Sequence, residues 1–158
     1  MYTSEPMSSQ MHDYPVSVQW TGGRDGKGTV SSKHSGTQTA IAVPPEFQGP
    51  GGGASPEELL TSAIASCYTI TFGIIAANRK IPVKSIAVEA VGQVEQTGAQ
   101  FTYKNVTVRP HITLEADATD EQLKIAEDMS HKADLYCIIT NAVRGKVEIT
   151  VEPTITKE

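Results

Sequence analysis

Two cysteines, Cys67 and Cys137, are the residues whose chemistry stands out in this 158-residue chain. A thiol can serve as nucleophile, redox partner or metal ligand. Two of them, with no CxxC pair, exclude a four-cysteine zinc ribbon and a disulfide-rich secreted scaffold. His12, His34, His111 and His131 are scattered without an i, i+4 pair, which argues against a metal site. The plain reading of two lone thiols is structural, because free cysteine behaves as a small buried hydrophobe.

Reactivity needs the thiolate, so the question is what could lower a thiol pKa. Cys67 stands eleven residues after Pro56, in a helix opened by Ser55-Pro56-Glu57-Glu58. That is too deep for the positive end of the helix to act on it. A reactive Cys67 therefore needs a cation from elsewhere, and only Arg24, Arg79, Arg109 and Arg144 offer a guanidinium. Arg24 lies in a glycine-flanked turn, where a solvated charge is the ordinary case. A planar, permanently charged group is also suited to holding a thiolate and polarising a peroxide oxygen. Cys137 follows Asp134, a candidate cap, and lies nearer a helix start.

These side chains must be carried by regular elements. Val16, Val18 and Trp20 alternate with polar residues, the period of a half-buried strand; 28–32 and 37–43 read as two more. A flexible loop, QGPGGGA, then leads to the helix, which should run to about Asn78 with Ser55 and Glu58 as its capping box. Residues 59–77 carry no charge and approach membrane-spanning length. Thr61, Ser62, Ser66, Tyr68, Thr69 and Thr71 make that stretch too polar for lipid, so a buried central helix is expected.

Strands at 84–96 and 101–115 follow, the second with a phase slip that predicts a bulge near Lys104-Asn105. A capping box at Thr119 and Gln122 opens a helix to about His131. Asp134 should cap a short third helix holding Tyr136, Cys137 and Ile138, and a last strand carries Val147, Ile149, Val151 and Ile155. The order βββα, ββ, αα, β reads as α+β. Residues 1–12 are expected to be a flexible tail and 13–158 one domain.

Composition adds exclusions. With 13 Lys+Arg against 18 Asp+Glu, the net charge of −5 argues against nucleic acid or an anionic membrane as partner. The N-terminal dozen residues hold no Lys or Arg and no apolar core, so a cytoplasmic location is expected. The glycines of 22–26 and 49–53 lack the GxxxxGK[ST] phosphate-loop form and read as turns.

The runs TGGRDG at 21–26, PPEFQGPGGGASPEEL at 44–59, ASCY at 65–68 and CIITNAVRG at 137–145 together resemble the OsmC/Ohr family of thiol peroxidases. The GGRDG turn and the last run are closest to its organic hydroperoxide resistance branch. The resemblance implies a curved antiparallel sheet around a long buried helix, in an intertwined homodimer. It implies Cys67 as the attacking thiolate for an organic hydroperoxide and Cys137 as the resolving thiol. Arg24 matches the family's catalytic arginine, and Glu57 the glutamate that fixes it. An external dithiol, in this branch a lipoylated protein, would recycle the disulfide. No metal, flavin, haem or nucleotide cofactor is implied. A slow redox sensor or binding protein of the same fold is the alternative.

Helix geometry bears on this. Ten residues separate Glu57 from Cys67, or about 15 Å along the axis and about 80° of phase. Arg24 and Glu57 of one subunit meeting Cys67 of another would resolve that mismatch. The family's second cysteine is commonly followed by proline; Ile138 stands there, so a looser turn is expected. Tyr136, Phe72 and Ile64 are candidates for pocket walls or for core.

Overall fold

The computed structural model describes residues 8–158, and the chain forms two compact units, 1–55 and 56–158. Of the tail expected over 1–12, residues 1–7 lie outside the described residues, and 8–12 are exposed without regular structure. The first unit is a three-stranded antiparallel sheet of β1 (Val16–Thr21), β2 (Lys27–Ser32) and β3 (Gln38–Ile41), in that order.

Trp20 sits opposite Gly28, and its ring lies over both Gly28 and Gly26, where any Cβ would strike it. The alternation at 16–20 does mark a strand. Its apolar side chains are nonetheless exposed, Val16 by 54% and Val18 by 56%. The glycine-rich loop is tied down rather than flexible. Gly49 and Gly51 donate to the carbonyls of Pro44 and Val43, and Ala54 donates to Ala40.

The second unit begins with the 23-residue helix α1 (Pro56–Asn78). Ile64, Tyr68, Phe72 and Ala76 recur at four-residue spacing and form one buried stripe on it. They join Val106, Val108, Ile112 and Leu114 in the core, against the hairpin of β4 (Val83–Thr97) and β5 (Gln100–Leu114). By length and composition α1 could cross a membrane; here it lies on the sheet. The expectation of burial on most faces holds on one face only, since Ile70 and Ile74 are exposed. Thr61 and Thr69 return their hydroxyls to the carbonyls of Glu57 and Ala65, which satisfies them without a water partner. Thr61 Oγ1 also meets Tyr103 Oη at 2.6 Å, above Gly92.

The slip in β5 is a bulge: Gln93 pairs with Asn105 and Val94 with Tyr103, leaving Lys104 as the extra residue. α2 (Asp120–Lys132) opens with the full capping box, Thr119 accepting from the Gln122 amide and Gln122 accepting from the Thr119 amide. The expected last strand is two, β6 (Glu148–Val151) and β7 (Thr154–Lys157), and both run parallel to β5 rather than antiparallel. Pro153 breaks them apart. Pro110 of β5 falls between the stretches 105–108 and 111–114 that pair with β6 and β7, so a residue without an N–H sits at the gap in the ladder.

Candidate active site

Cys67 rides on the shoulder of the buried stripe of α1, one residue before Tyr68, and is half-buried. Its sulfur lies 3.9 Å from the hydroxyl of Thr71, one turn on. Cys137 arrives from the far end of the unit and is fully buried. The two thiols, both free, lie within hydrogen-bonding reach of one another.

The segment that carries Cys137 differs from the single Asp134-capped helix expected. A 3-10 turn covers Ala133–Tyr136, Cys137 is extended with ψ 115°, and α3 (Ile138–Val143) starts after it. Cys137 itself is therefore the N-cap. Its sulfur accepts from the Thr140 amide at 3.4 Å and from the Thr140 hydroxyl at 3.1 Å. Asp134 instead pairs with Arg144, whose guanidinium also donates to the Asp134 carbonyl and to Asn141 Oδ1. Asn141 in turn donates to the Leu135 carbonyl. The TNAxRG residues thus brace the turn from the far side, and a proline after Cys137 is not needed to hold it. Ile138, in that place, starts the helix and is 80% exposed.

Electrostatics separate the two thiols. Burial pushes the Cys67 pKa up, but hydrogen bonds from the Cys137 thiol, the Ile139 amide, the Thr71 hydroxyl and the Ile138 amide outweigh it. The net result is a Cys67 pKa below the ordinary value. Burial likewise raises Cys137, and the neighbouring Cys67 sulfur raises it further. Thr140 pulls it down without reversing the sign. The proton of the pair therefore rests on Cys137. The cation that an isolated α1 would require is replaced in part by neutral donors from the α3 turn.

Tyr68 joins α1 to the end of α2 by donating to the Ser130 carbonyl at 2.6 Å. Burial and the nearby Asp134 charge raise its pKa far above the usual tyrosine value, so it stays a neutral donor. Ile64 and Phe72 are core, whereas Tyr136 is exposed beside Cys137.

The structure brings Cys67 and Cys137 together. Glu57 lies in the first turn of the same helix as Cys67, partly buried, at the ten-residue remove the sequence dictates. Arg24 belongs to the first unit, exposed in the turn closed by the Gly26 amide on the Gly23 carbonyl. Thr140, Thr71 and the amides of Ile138 and Ile139 were not singled out from the sequence. The available signal was the Cys-x-x-Thr spacing, which is that of an N-cap and its third helical residue.

With this geometry in hand, the chain belongs to the OsmC-like protein family, whose match covers residues 49–152. That stretch takes in Glu57, Cys67 and Cys137; Arg24 precedes it. The uncharacterized protein YmaD of Bacillus subtilis is 33% identical over 144 residues, covering 91% of this chain and 95% of that protein. An OsmC-like protein of unknown function from Vibrio cholerae shares the fold with a TM-score of 0.76 at 23% identity, covering 91% of this chain and all of that one. An organic hydroperoxide resistance protein OsmC from Legionella pneumophila does so at 0.68 and 23%, over 91% and 99% of the two chains.

Proposed function

We propose that this protein is a thiol-dependent peroxidase that reduces organic hydroperoxides. The observation that carries the reading is the asymmetry of the pair: a half-exposed Cys67 with a lowered pKa beside a buried Cys137 that keeps its proton. A thiolate is the nucleophile such chemistry needs, and a second thiol in reach resolves the product. A solved structure of the same fold is an organic hydroperoxide resistance protein.

In this reading the Cys67 thiolate attacks the terminal oxygen of ROOH. The O–O bond breaks, its electron pair leaves on RO, and a proton completes ROH while Cys67 becomes a sulfenic acid. Cys137 then attacks that sulfur, its proton leaves with the hydroxyl as water, and the Cys67–Cys137 disulfide forms. An external dithiol, such as a lipoyl group on a protein, returns both thiols. Arg24 and Glu57 of one subunit meet Cys67 of the other, where Arg24 orients the peroxide and Glu57 fixes that guanidinium. The homodimer this requires is supported by apolar surface left open on the single chain, at Val16 and Val18 and at Ile70 and Ile74.

Rapid mixing of reduced protein with cumene hydroperoxide and with hydrogen peroxide tests the reading. The organic peroxide should react faster, Cys67→Ser should abolish the reaction, and Cys137→Ser should accumulate sulfenic acid. Oxidation no faster than that of free cysteine would overturn it.

A further inference from the structure

Thr140 is the buried polar side chain that bonds the resolving sulfur. It is 1% exposed, and its hydroxyl donates to Cys137 Sγ at 3.1 Å. The same sulfur takes the Thr140 amide at 3.4 Å. A hydroxyl can donate to a carbonyl one turn back in its own helix, as Thr61 and Thr69 do. Thr140 spends its proton on sulfur instead. A neutral thiol is a poor acceptor, so two donors converging on one buried sulfur suit a state in which that sulfur carries charge.

Resting on the peroxidase reading for the disulfide it concerns, we propose that Thr140 stabilises Cys137 as the leaving thiolate when the Cys67–Cys137 disulfide is reduced. One thiolate of an external dithiol attacks Cys67 Sγ, the more accessible sulfur. The S–S bond breaks and its electron pair goes to Cys137 Sγ, held by the Thr140 hydroxyl and amide. The second thiol of the reductant then loses its proton and attacks the mixed disulfide. It closes the reductant's own disulfide and frees Cys67 as a thiolate, while the proton passes to Cys137. Exchange is faster the better the departing sulfur is held as an anion, and the two Thr140 donors oppose the burial that otherwise disfavours charge on Cys137. Attack falls on Cys67 because it is the more accessible sulfur, and the pair resets with the proton on Cys137.

The test compares Thr140→Val, near-isosteric and without a hydroxyl, with Thr140→Ser, which restores one. The disulfide is made with cumene hydroperoxide and, separately, with diamide, and its reduction by dihydrolipoamide is followed by stopped flow. Thr140→Val should slow reduction about tenfold, the effect of one hydrogen bond to a charged group, and Thr140→Ser should recover most of it. In a Cys67→Ser background, thiolate absorbance should show the Cys137 pKa higher in Thr140→Val and restored in Thr140→Ser. Wild-type reduction rates in Thr140→Val overturn the proposal. So does slower reduction with an unmoved Cys137 titration, which marks a merely structural effect. If diamide forms the disulfide and hydroperoxides do not, the peroxidase reading fails while the role of Thr140 is still decided. Failure of both oxidants to form it overturns the proposal.

Discussion

Cys67 and Cys137 stand within reach of one another with pKa values shifted in opposite directions, the half-buried Cys67 downward and the buried Cys137 upward. Two identical functional groups acquire opposite pKa shifts through burial and donor count. α1 supplies the first sulfur and the cap of α3 the second.

The pH profile of alkylation follows from these shifts. A lowered pKa means that Cys67 stays ionised as pH falls below about 8.5, the ordinary cysteine value, and loses reactivity only at lower pH. Cys137 shifts the other way and should stay protonated above that value. Iodoacetamide at neutral pH should therefore label Cys67 before Cys137. In Cys137→Ala the donor is gone, and the Cys67 profile should move to higher pH.

Arg24 and Glu57 are tested by loss of function and by mixing. Arg24→Ala should lower the rate with cumene hydroperoxide by about a hundredfold, the scale of one charge-stabilising group. Glu57→Gln should lower it less. Refolded mixtures of Arg24→Ala and Cys67→Ser chains should regain about a quarter of wild-type activity, because half the dimers then hold one intact site of two. Mixtures as inactive as their parents would rule out a site shared between subunits.

Assembly should depend on the open apolar face of α1. Ile74 is 57% exposed in the single chain, and Ile74→Glu would bury a charge if that face meets a partner. Light scattering should show a shift toward monomer, with peroxidase activity falling in step.

Two substitutions probe the frame that positions the thiols. Thr119→Ala removes the cap of α2 and should cost about 1 kcal/mol, a loss of about 2–4 °C in Tm for a domain of this size. Gly92→Ala would set a methyl onto Tyr103 Oη and Thr61 Oγ1, where α1 crosses β4. It should destabilise by about 1–3 kcal/mol, read as a lower denaturant midpoint.

Much of the frame was legible because its signals are local. Ser55-Pro56 marks the start of α1, Thr119-x-x-Gln122 that of α2 through short-range bonds, and the bulge at Lys104 shows as a break in a two-residue period. The final strand misled, because its apolar alternation runs through Pro153 and carries nothing about the direction of the neighbouring strand. Asp134 misled for a related reason. An aspartate before a helix ordinarily caps it, but here the carboxylate was claimed by Arg144, ten residues on.

The amino-acid sequence by itself determined that this is an α+β chain with two thiols as its distinctive chemistry, since composition, periodicity and capping are properties of short stretches. It also placed Glu57 a fixed ten residues from Cys67, because a helix leaves no freedom in that distance. Only the tertiary structure decided that Cys67 and Cys137, 70 residues apart, stand together with pKa values shifted in opposite directions. Which thiol is acidic depends on burial and on donors that converge from a distant turn, and no window of sequence contains both.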